Sequence, residues 1–197
     1  MRFSLLCACL LLGAGASSSF AAQLVSVGVK AGVPFTNAFS GDTYGTTPNI
    51  FRSTSGDTSY IVGPMGEIHL ILGLSVEADA LYRPLHLNVQ DGSGNPLADH
   101  SYASWEFPIL AKWRFPFPVL KPYLEGGPSF RAIGGTASNY LSNDGITFGV
   151  GLELHLSRVR IGPELRFTHW GSDATGASAN GFSSNQNQGE FLVGFSF

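Results

Sequence analysis

The chain has 197 residues, of which 44% are hydrophobic and 13% charged, and its formal net charge is −3 at pH 7. This length suits one domain, and a nearly neutral chain without a run of Lys or Arg argues against a nucleic-acid-binding protein. Beyond the N-terminus no window approaches the roughly 18 consecutive apolar residues of a transmembrane helix, so a membrane-spanning form would have to use strands.

The segment 1–22 differs in kind from the rest of the chain. Arg2 precedes an apolar run over 3–12, and small residues then lead to Ala22. This order is typical of a secretory signal peptide, for which we expect cleavage near Ala22. An uncleaved anchor helix is the alternative, although the apolar run is short for a membrane span.

The two cysteines of the chain, Cys7 and Cys9, both lie in this N-terminal segment. We therefore predict one mature domain, residues 23–197, that contains no cysteine. Disulfides, thiol catalysis and cysteine metal sites are excluded from such a domain, which fits an exported protein held together by backbone pairing.

After Ala22, stretches of sequence alternate apolar with polar or small side chains, the period of β-strands. Each stretch reaches the roughly 9 to 11 residues that a tilted strand needs to cross a bilayer. The predicted strands are approximately 24–34, 59–70, 73–84, 102–115, 119–131, 145–157, 158–170 and 188–197. We accordingly predict an all-β fold, an eight-stranded antiparallel up-and-down transmembrane β-barrel.

The fourth predicted strand shows the alternation most clearly. Its polar positions include Glu106, Lys112 and Arg114, and its apolar positions are Trp105, Phe107, Ile109, Ala111, Trp113 and Phe115. A soluble β-sandwich or lipocalin-like barrel would also alternate, with its apolar side chains inward. Across the predicted strands the polar positions hold many glycines and a few matched charges, which favours a membrane barrel with a crowded interior.

The connections alternate between short and long, as in outer-membrane barrels. Short connections follow the second, fourth and sixth predicted strands. The long ones, at about 35–58, 85–101, 132–144 and 171–187, are rich in Gly, Ser, Thr, Asn and Asp. With the mature N-terminus in the periplasm, we expect these four loops at the cell surface.

Strand parity places eight acidic and eight basic residues on the inner face of the predicted barrel. They are Lys30, Glu67, Glu77, Asp79, Arg83, Glu106, Lys112, Arg114, Lys121, Glu125, Arg131, Glu153, Arg160, Glu164, Arg166 and Glu190. Buried charges are costly unless paired, and an eight-stranded interior is about wide enough for side chains to fill. We predict a lumen closed by an ion-pair network, with an ion pathway or a catalytic carboxylate pair as the alternatives.

Five histidines are the other chemically versatile residues, and they have no metal-ligand spacing, so we expect neither a metal site nor a cofactor. His69 and His155 have inward parity. His169 has outward parity and is followed by Ser172, and small outer-membrane lipid A deacylases use a membrane-facing His and Ser. Those enzymes space the two residues by two positions, whereas here the spacing of three points them oppositely. His169 and Ser172 are therefore candidates to test against the simpler role of an interfacial histidine.

The segments 27–34, 74–83, 105–112 and 122–129 resemble the outer-membrane β-barrel domain family, the porin-like proteins related to small outer-membrane protein A and X barrels. The resemblance implies the fold and transfers no catalytic residue. The closing segment also resembles the family's terminal strand, whose aromatic end is recognised by the barrel-assembly machinery. Its corresponding residues here are Phe191, Phe195 and Phe197.

These observations predict a non-enzymatic integral protein of the bacterial outer membrane with a structural or surface-interaction role. The alternatives are a lipid-modifying enzyme resembling the lipid A deacylases and a narrow channel. The expected partners are outer-membrane lipid, lipopolysaccharide and, during insertion, the barrel-assembly machinery, with no nucleic acid.

Overall fold

The computed structural model describes residues 24–40, 42–46, 49–55, 60–135, 141–156, 159–173 and 184–197. The predicted signal peptide, with Cys7 and Cys9, lies outside the described residues. Within these ranges no helix has the length and apolar character needed to cross a membrane.

The described chain forms eleven strands. They are β1 (Val25–Pro34), β2 (Asp42–Thr46), β3 (Asn49–Ser55), β4 (Ile61–His69), β5 (Leu74–Asp79), β6 (Leu81–Asp91), β7 (Pro96–Arg114), β8 (Leu120–Ile133), β9 (Asp144–Leu156), β10 (Val159–Trp170) and β11 (Asn187–Ser196).

These strands close into a barrel because β1 pairs with β11 on one side and with β4 on the other. The remaining wall runs antiparallel through β5, β7, β8, β9 and β10 to β11. β5 and β6 together form one wall strand, interrupted at Ala80 opposite Pro64, which has no N–H to complete the pair. The closed ring of eight confirms the predicted fold class. We call the end where β1 begins and β11 ends the inner end, and the opposite end the outer end.

The first two long connections, which were predicted as loops between the wall strands, contain additional strands in the structure. β6 continues to Asp91 and β7 starts at Pro96, which makes most of 85–101 a hairpin. β2 and β3 form a second hairpin within 35–58, and β3 pairs with β6. The physical reason is that Leu85, Leu87 and Val89 continue the alternation of the wall strand beyond Pro84. Pro84 pairs with Ala103 and does not end the strand. The third and fourth long connections lie partly outside the described residues.

The wall has its apolar side chains outside and its charged side chains inside. In β7, Trp105 is 41% exposed and Trp113 47% exposed, whereas Lys112 is 3% exposed. Phe195 of β11 and Phe197, which directly follows this strand, are also exposed. Such an arrangement is stable only when the outer surface meets lipid, because exposed apolar area of this extent is unfavourable in water.

Candidate functional site

The barrel interior collects the charged residues that strand parity assigns to it. Of the sixteen, all but Lys121 and Arg160 are buried, with at most 8% of their surface exposed. Those two are half-exposed and lie near the inner end of the barrel. The wall strands therefore direct a dense set of charges into a volume shielded from water.

Arg166, at the middle of β10, lies among four carboxylates. Its guanidinium donates to Glu77, Asp79 and Glu125, each at 2.7 Å. Its Nε is also 2.9 Å from Glu164. Hydrogen-bonded ion pairs of this kind compensate the desolvation of a fully buried charge.

Two lysines complete the set around these carboxylates. Lys30 Nζ is 2.8 Å from Glu164, and both Lys30 and Lys112 bind Glu77. The Tyr123 hydroxyl donates to Glu164 at 2.6 Å, and the Lys112 ammonium lies 4.4 Å from the centre of the Tyr123 ring. We call these side chains the central charge layer, which consists of Lys30, Glu77, Asp79, Lys112, Tyr123, Glu125, Glu164 and Arg166.

Two glycines of β9 make room for this layer. A Cβ at Gly149 would lie 2.5 Å from the Glu125 carboxylate, and one at Gly151 would lie 2.3 Å from the Tyr123 ring. Any larger residue would push the layer aside, which explains why small residues occupy the inner face of β9.

Toward the inner end, a second group of polar side chains follows the central charge layer. Arg114 donates to Glu153 at 2.9 Å and also pairs with Glu67. The ring of His69 is 2.8 Å from the Arg160 guanidinium. A polar cavity of about 20 Å³ lies between these groups and the layer, which is room for one or two waters.

Toward the outer end, the interior changes from charged to apolar. We call this cluster the outer lid: Ala38, Phe39, Leu85, Leu87, Ile133 and Leu141, each at most 7% exposed. The ring of Tyr102 packs on it, 6.2 Å from the Phe39 ring. Sequence reasoning missed the lid, although Leu85 and Leu87 share the inward parity of Arg83 and could have indicated it.

Asp173 ties the segments of the outer lid together. Its carboxylate accepts from the Ser184 hydroxyl and the Ser184 N–H, both at 2.7 Å, and from the Ser142 N–H at 3.4 Å. Ser184 in turn forms a β-bridge with Phe39. The Asp173 carboxylate thus joins two outer connections, and the β-bridge from Ser184 to Phe39 adds a third.

Three carboxylates of the central charge layer, Glu77, Glu125 and Glu164, have oxygens within 4.8 Å of one another, a spacing that could hold a metal ion. Each of them is already bound to Lys30, Lys112 or Arg166. These cations already neutralise the three carboxylates, and their positive charge would repel a divalent ion.

The ring of the candidate residue His169 makes its hydrogen bond with Asn187 rather than with Ser172. His169 Nδ1 is 2.8 Å from the side-chain oxygen of Asn187, and the described residues provide no hydrogen bond between His169 and Ser172. The nearby carboxylate of Asp173 is turned toward Ser184 rather than toward His169.

Comparison with known proteins identifies a family and solved structures with a similar fold. The family model of the outer membrane protein β-barrel domain matches residues 7–197, whereas no curated protein sequence gives a significant match. OprG from Pseudomonas aeruginosa is 14% identical, with a TM-score of 0.59 over 88% of this chain and 93% of that chain. Neisserial surface protein A is 14% identical, with a TM-score of 0.51 over 87% of this chain and 95% of that chain. Both likenesses concern the fold.

Proposed function

The chain belongs to the outer membrane protein β-barrel domain family, and from this premise we propose that it is a closed, non-enzymatic barrel that presents its outer segments at the bacterial cell surface. The observation that carries the proposal is the central charge layer, a set of buried charges in the barrel interior that are bound to one another. At the outer end of the barrel, the apolar side chains of the outer lid cover the charged interior.

The central charge layer supports a closed lumen on energetic grounds. An ion crossing the barrel would have to displace hydrogen-bonded charges such as Arg166, whose carboxylate partners are as deeply buried as it is. Separating buried ion pairs costs several kcal/mol per ion. The adjoining cavity of about 20 Å³ has room for water and not for a continuous column of hydrated ions.

The outer hairpins support a surface role. β7 has 19 residues, about twice the length that crosses a bilayer, so its first half projects beyond the membrane with β6. β3 pairs with this extension and β2 pairs with β3. A sheet held in this way is a rigid platform of the kind that commonly carries binding residues.

Export and insertion are part of the proposal. We infer that the signal peptide is removed near Ala22 and that the barrel-assembly machinery recognises Phe191, Phe195 and Phe197 in the last strand. Exposed aromatic side chains at the end of β11 are consistent with such recognition. In the membrane, the apolar wall would contact phospholipid on the inner side and lipopolysaccharide on the outer side.

Conductance tests the closed lumen. The mature protein is refolded into detergent, its barrel is verified by heat-modifiable migration on a gel, and it is inserted into planar bilayers. We expect no steady conductance from the folded protein. Large, stable single-channel steps would overturn the closed-lumen proposal.

Lipid analysis tests the absence of enzymatic activity. We expect lipid A from cells with and without the protein to have the same acyl chains, because the His169 ring is hydrogen-bonded to Asn187 rather than to a nucleophile such as Ser172. Mass spectrometry of lipid A measures this directly. A change in acylation that is abolished by both His169→Ala and Ser172→Ala would favour the lipid-modifying alternative instead.

A further inference from the structure

We propose that the barrel interior contains a binding site for one small, singly charged carboxylate, between the central charge layer and the outer lid. Its binding groups would be the side chains of Arg83, Ser104, Arg131 and Trp170, which we call the outer donor patch. The proposal goes beyond the closed barrel, because it assigns a ligand to the interior rather than to the outer segments.

The outer donor patch is defined by buried polar atoms that lack hydrogen-bond partners. Among the described residues there are six such atoms, and the four that can donate are Arg83 Nε, Ser104 Oγ, Arg131 Nη2 and Trp170 Nε1. These four residues are at most 4% exposed. The other two atoms are carboxylate oxygens of the central charge layer. Buried donors are normally paired, so four of them together indicate a ligand that accepts hydrogen bonds.

Strand register makes the four groups neighbours. Arg83 of β6 and Ser104 of β7 are directly paired. On the other side of β7, Ser104 pairs with Ile133 of β8, so Arg131, two residues away with the same inward parity, lies diagonal to Ser104. The Arg131 guanidinium lies 4.4 Å from the centre of the Trp170 ring. The outer donor patch is therefore continuous across the inside of the wall.

The two arginines of the outer donor patch are poorly neutralised. Each cation of the central charge layer binds at least two carboxylates. Arg83, in contrast, is 3.7 Å from Glu106 and donates at 2.7 Å to the neutral side chain of Gln188. Within the described ranges Arg131 has no ion pair, and its Nε donates to the Ser142 carbonyl. Guanidinium groups stay charged when buried, and their N–H fork matches the oxygens of a carboxylate.

Neighbouring carboxylates limit the charge that the ligand can have. Glu106 lies beside Arg83, and the inward-facing Glu190 interacts electrostatically with both of them. These two carboxylates would repel a dianion such as phosphate more strongly than a monoanion. One ionised carboxylate accepts about four hydrogen bonds through its two oxygens, which matches the number of donors in the patch.

NMR of the tryptophan indole N–H groups tests the site on the mature protein in detergent micelles. The chain has three tryptophans, and Trp170 is buried whereas Trp105 and Trp113 are exposed on the outer wall. The probe is sodium acetate, compared with sodium chloride at the same pH and ionic strength. The protein is refolded at each acetate concentration, so that the outer lid does not limit entry. We expect a saturable shift of the Trp170 signal, which Trp170→Phe identifies, and none of the other two signals.

A pair of serine variants tests the outer donor patch. Ser104→Ala removes one donor from the patch and should weaken acetate binding about tenfold, the effect of losing a hydrogen bond to a charged group. Ser101→Ala is the matched control, because Ser101 lies in the same strand with outward parity and is exposed. It should bind acetate as the unmodified protein does.

A neutral probe tests the need for charge. Acetamide has nearly the shape of acetate and no net charge, so we expect no saturable shift of the Trp170 signal at concentrations at which acetate saturates. Arg131→Met should abolish the acetate-dependent shift, because it removes a guanidinium that would bind the ligand.

Three results would overturn the proposal. They are a Trp170 signal that does not respond to acetate, which would assign the donors to water only, equal affinity for acetate and acetamide, and equal binding by Ser104→Ala and Ser101→Ala. Heat-modifiable migration of every variant shows whether the barrel has formed. Because conductance is measured separately, a failure of the carboxylate site is distinguishable from a failure of the proposed closed barrel.

Discussion

At the scale of single residues, the charge balance of the barrel interior depends on Arg166. Its guanidinium contacts four carboxylates that come from β5, β8 and β10. Residues so far apart in the chain meet only when the barrel closes. Closure of the wall therefore brings Arg166 to the carboxylates that it neutralises in the interior.

We expect Arg166→Met to lower the stability of the folded barrel by about 3 to 5 kcal/mol, because buried carboxylates would lose their shared cation. Denaturant unfolding in detergent micelles, followed by heat-modifiable migration, measures the change. Arg52→Met in β3 is the control, since Arg52 is exposed and such substitutions usually change stability by less than about 0.5 kcal/mol. Equal effects of the two substitutions would contradict the role of Arg166.

Asp91 caps the outer hairpin outside the membrane. Hydrogen bonds from the side chain of Asn95, at 2.9 Å, and from its N–H, at 2.8 Å, lower the pKa of Asp91 below the usual aspartate value. The N–H of Ser93 also donates to the same carboxylate, at 2.9 Å. The ionised carboxylate therefore holds the turn together.

This geometry predicts a pH dependence of the turn. Because its pKa is lowered by folding, Asp91 stabilises the turn at neutral pH, and that contribution is lost as the pH falls through the lowered pKa. NMR titration of the Ser93 and Asn95 amide signals measures the midpoint. Asn95→Ala should raise the midpoint toward the ordinary aspartate value, and an unchanged midpoint would count against the capping role.

At the scale of elements, strand pattern and turn composition gave different signals, and the strand pattern was the more reliable. In 85–101 the Gly-, Asn- and Asp-rich stretch suggested a long loop. The structure confines the reversal to the residues between Asp91 and Pro96, where Gly94 has a φ of +85°. Alternation up to Val89 reflects a real strand, because neighbouring β3 provides the backbone partners that make the extension stable.

The outer lid is the element whose stability depends on a single acidic residue. We expect Asp173→Ala to loosen the lid, since three hydrogen bonds to its carboxylate join separate outer connections. Hydrogen–deuterium exchange should become faster at Asn185, whose N–H donates to Ala38 at 2.8 Å. Asp99→Ala, at an exposed position of β7, should leave this exchange unchanged. Protection at Asn185 that survives Asp173→Ala would show that the lid is held by its apolar contacts alone.

At the scale of the whole molecule, closure gives the barrel two different ends. The inner end has short turns, including the exposed Leu72 next to β5, and the outer end has the extended hairpins. With the start of β1 and the end of β11 on the periplasmic side, the turn between β6 and β7 would face the medium.

A pair of tag insertions tests this orientation. We expect an epitope inserted at Gly94 to be labelled by antibody on intact cells, and one inserted at Leu72 to be labelled only after the outer membrane is permeabilised. Both turns are exposed, so both insertions should leave heat-modifiable migration intact. The reverse labelling pattern would refute the orientation.

The sequence by itself determined the eight wall strands and the inward and outward faces. Both follow from a two-residue alternation that is local to each strand, so Lys112 and Trp113 could be assigned to opposite faces without knowledge of any partner. The final aromatic residues and the family resemblance were likewise readable from the linear chain.

Only the tertiary structure decided which inward residues meet. Arg166 reaches Asp79 across 87 positions of sequence, and the outer lid joins Phe39 to Ser184. These contacts depend on the register between strands and on the tilt of the closed barrel, which no alternation within one strand specifies.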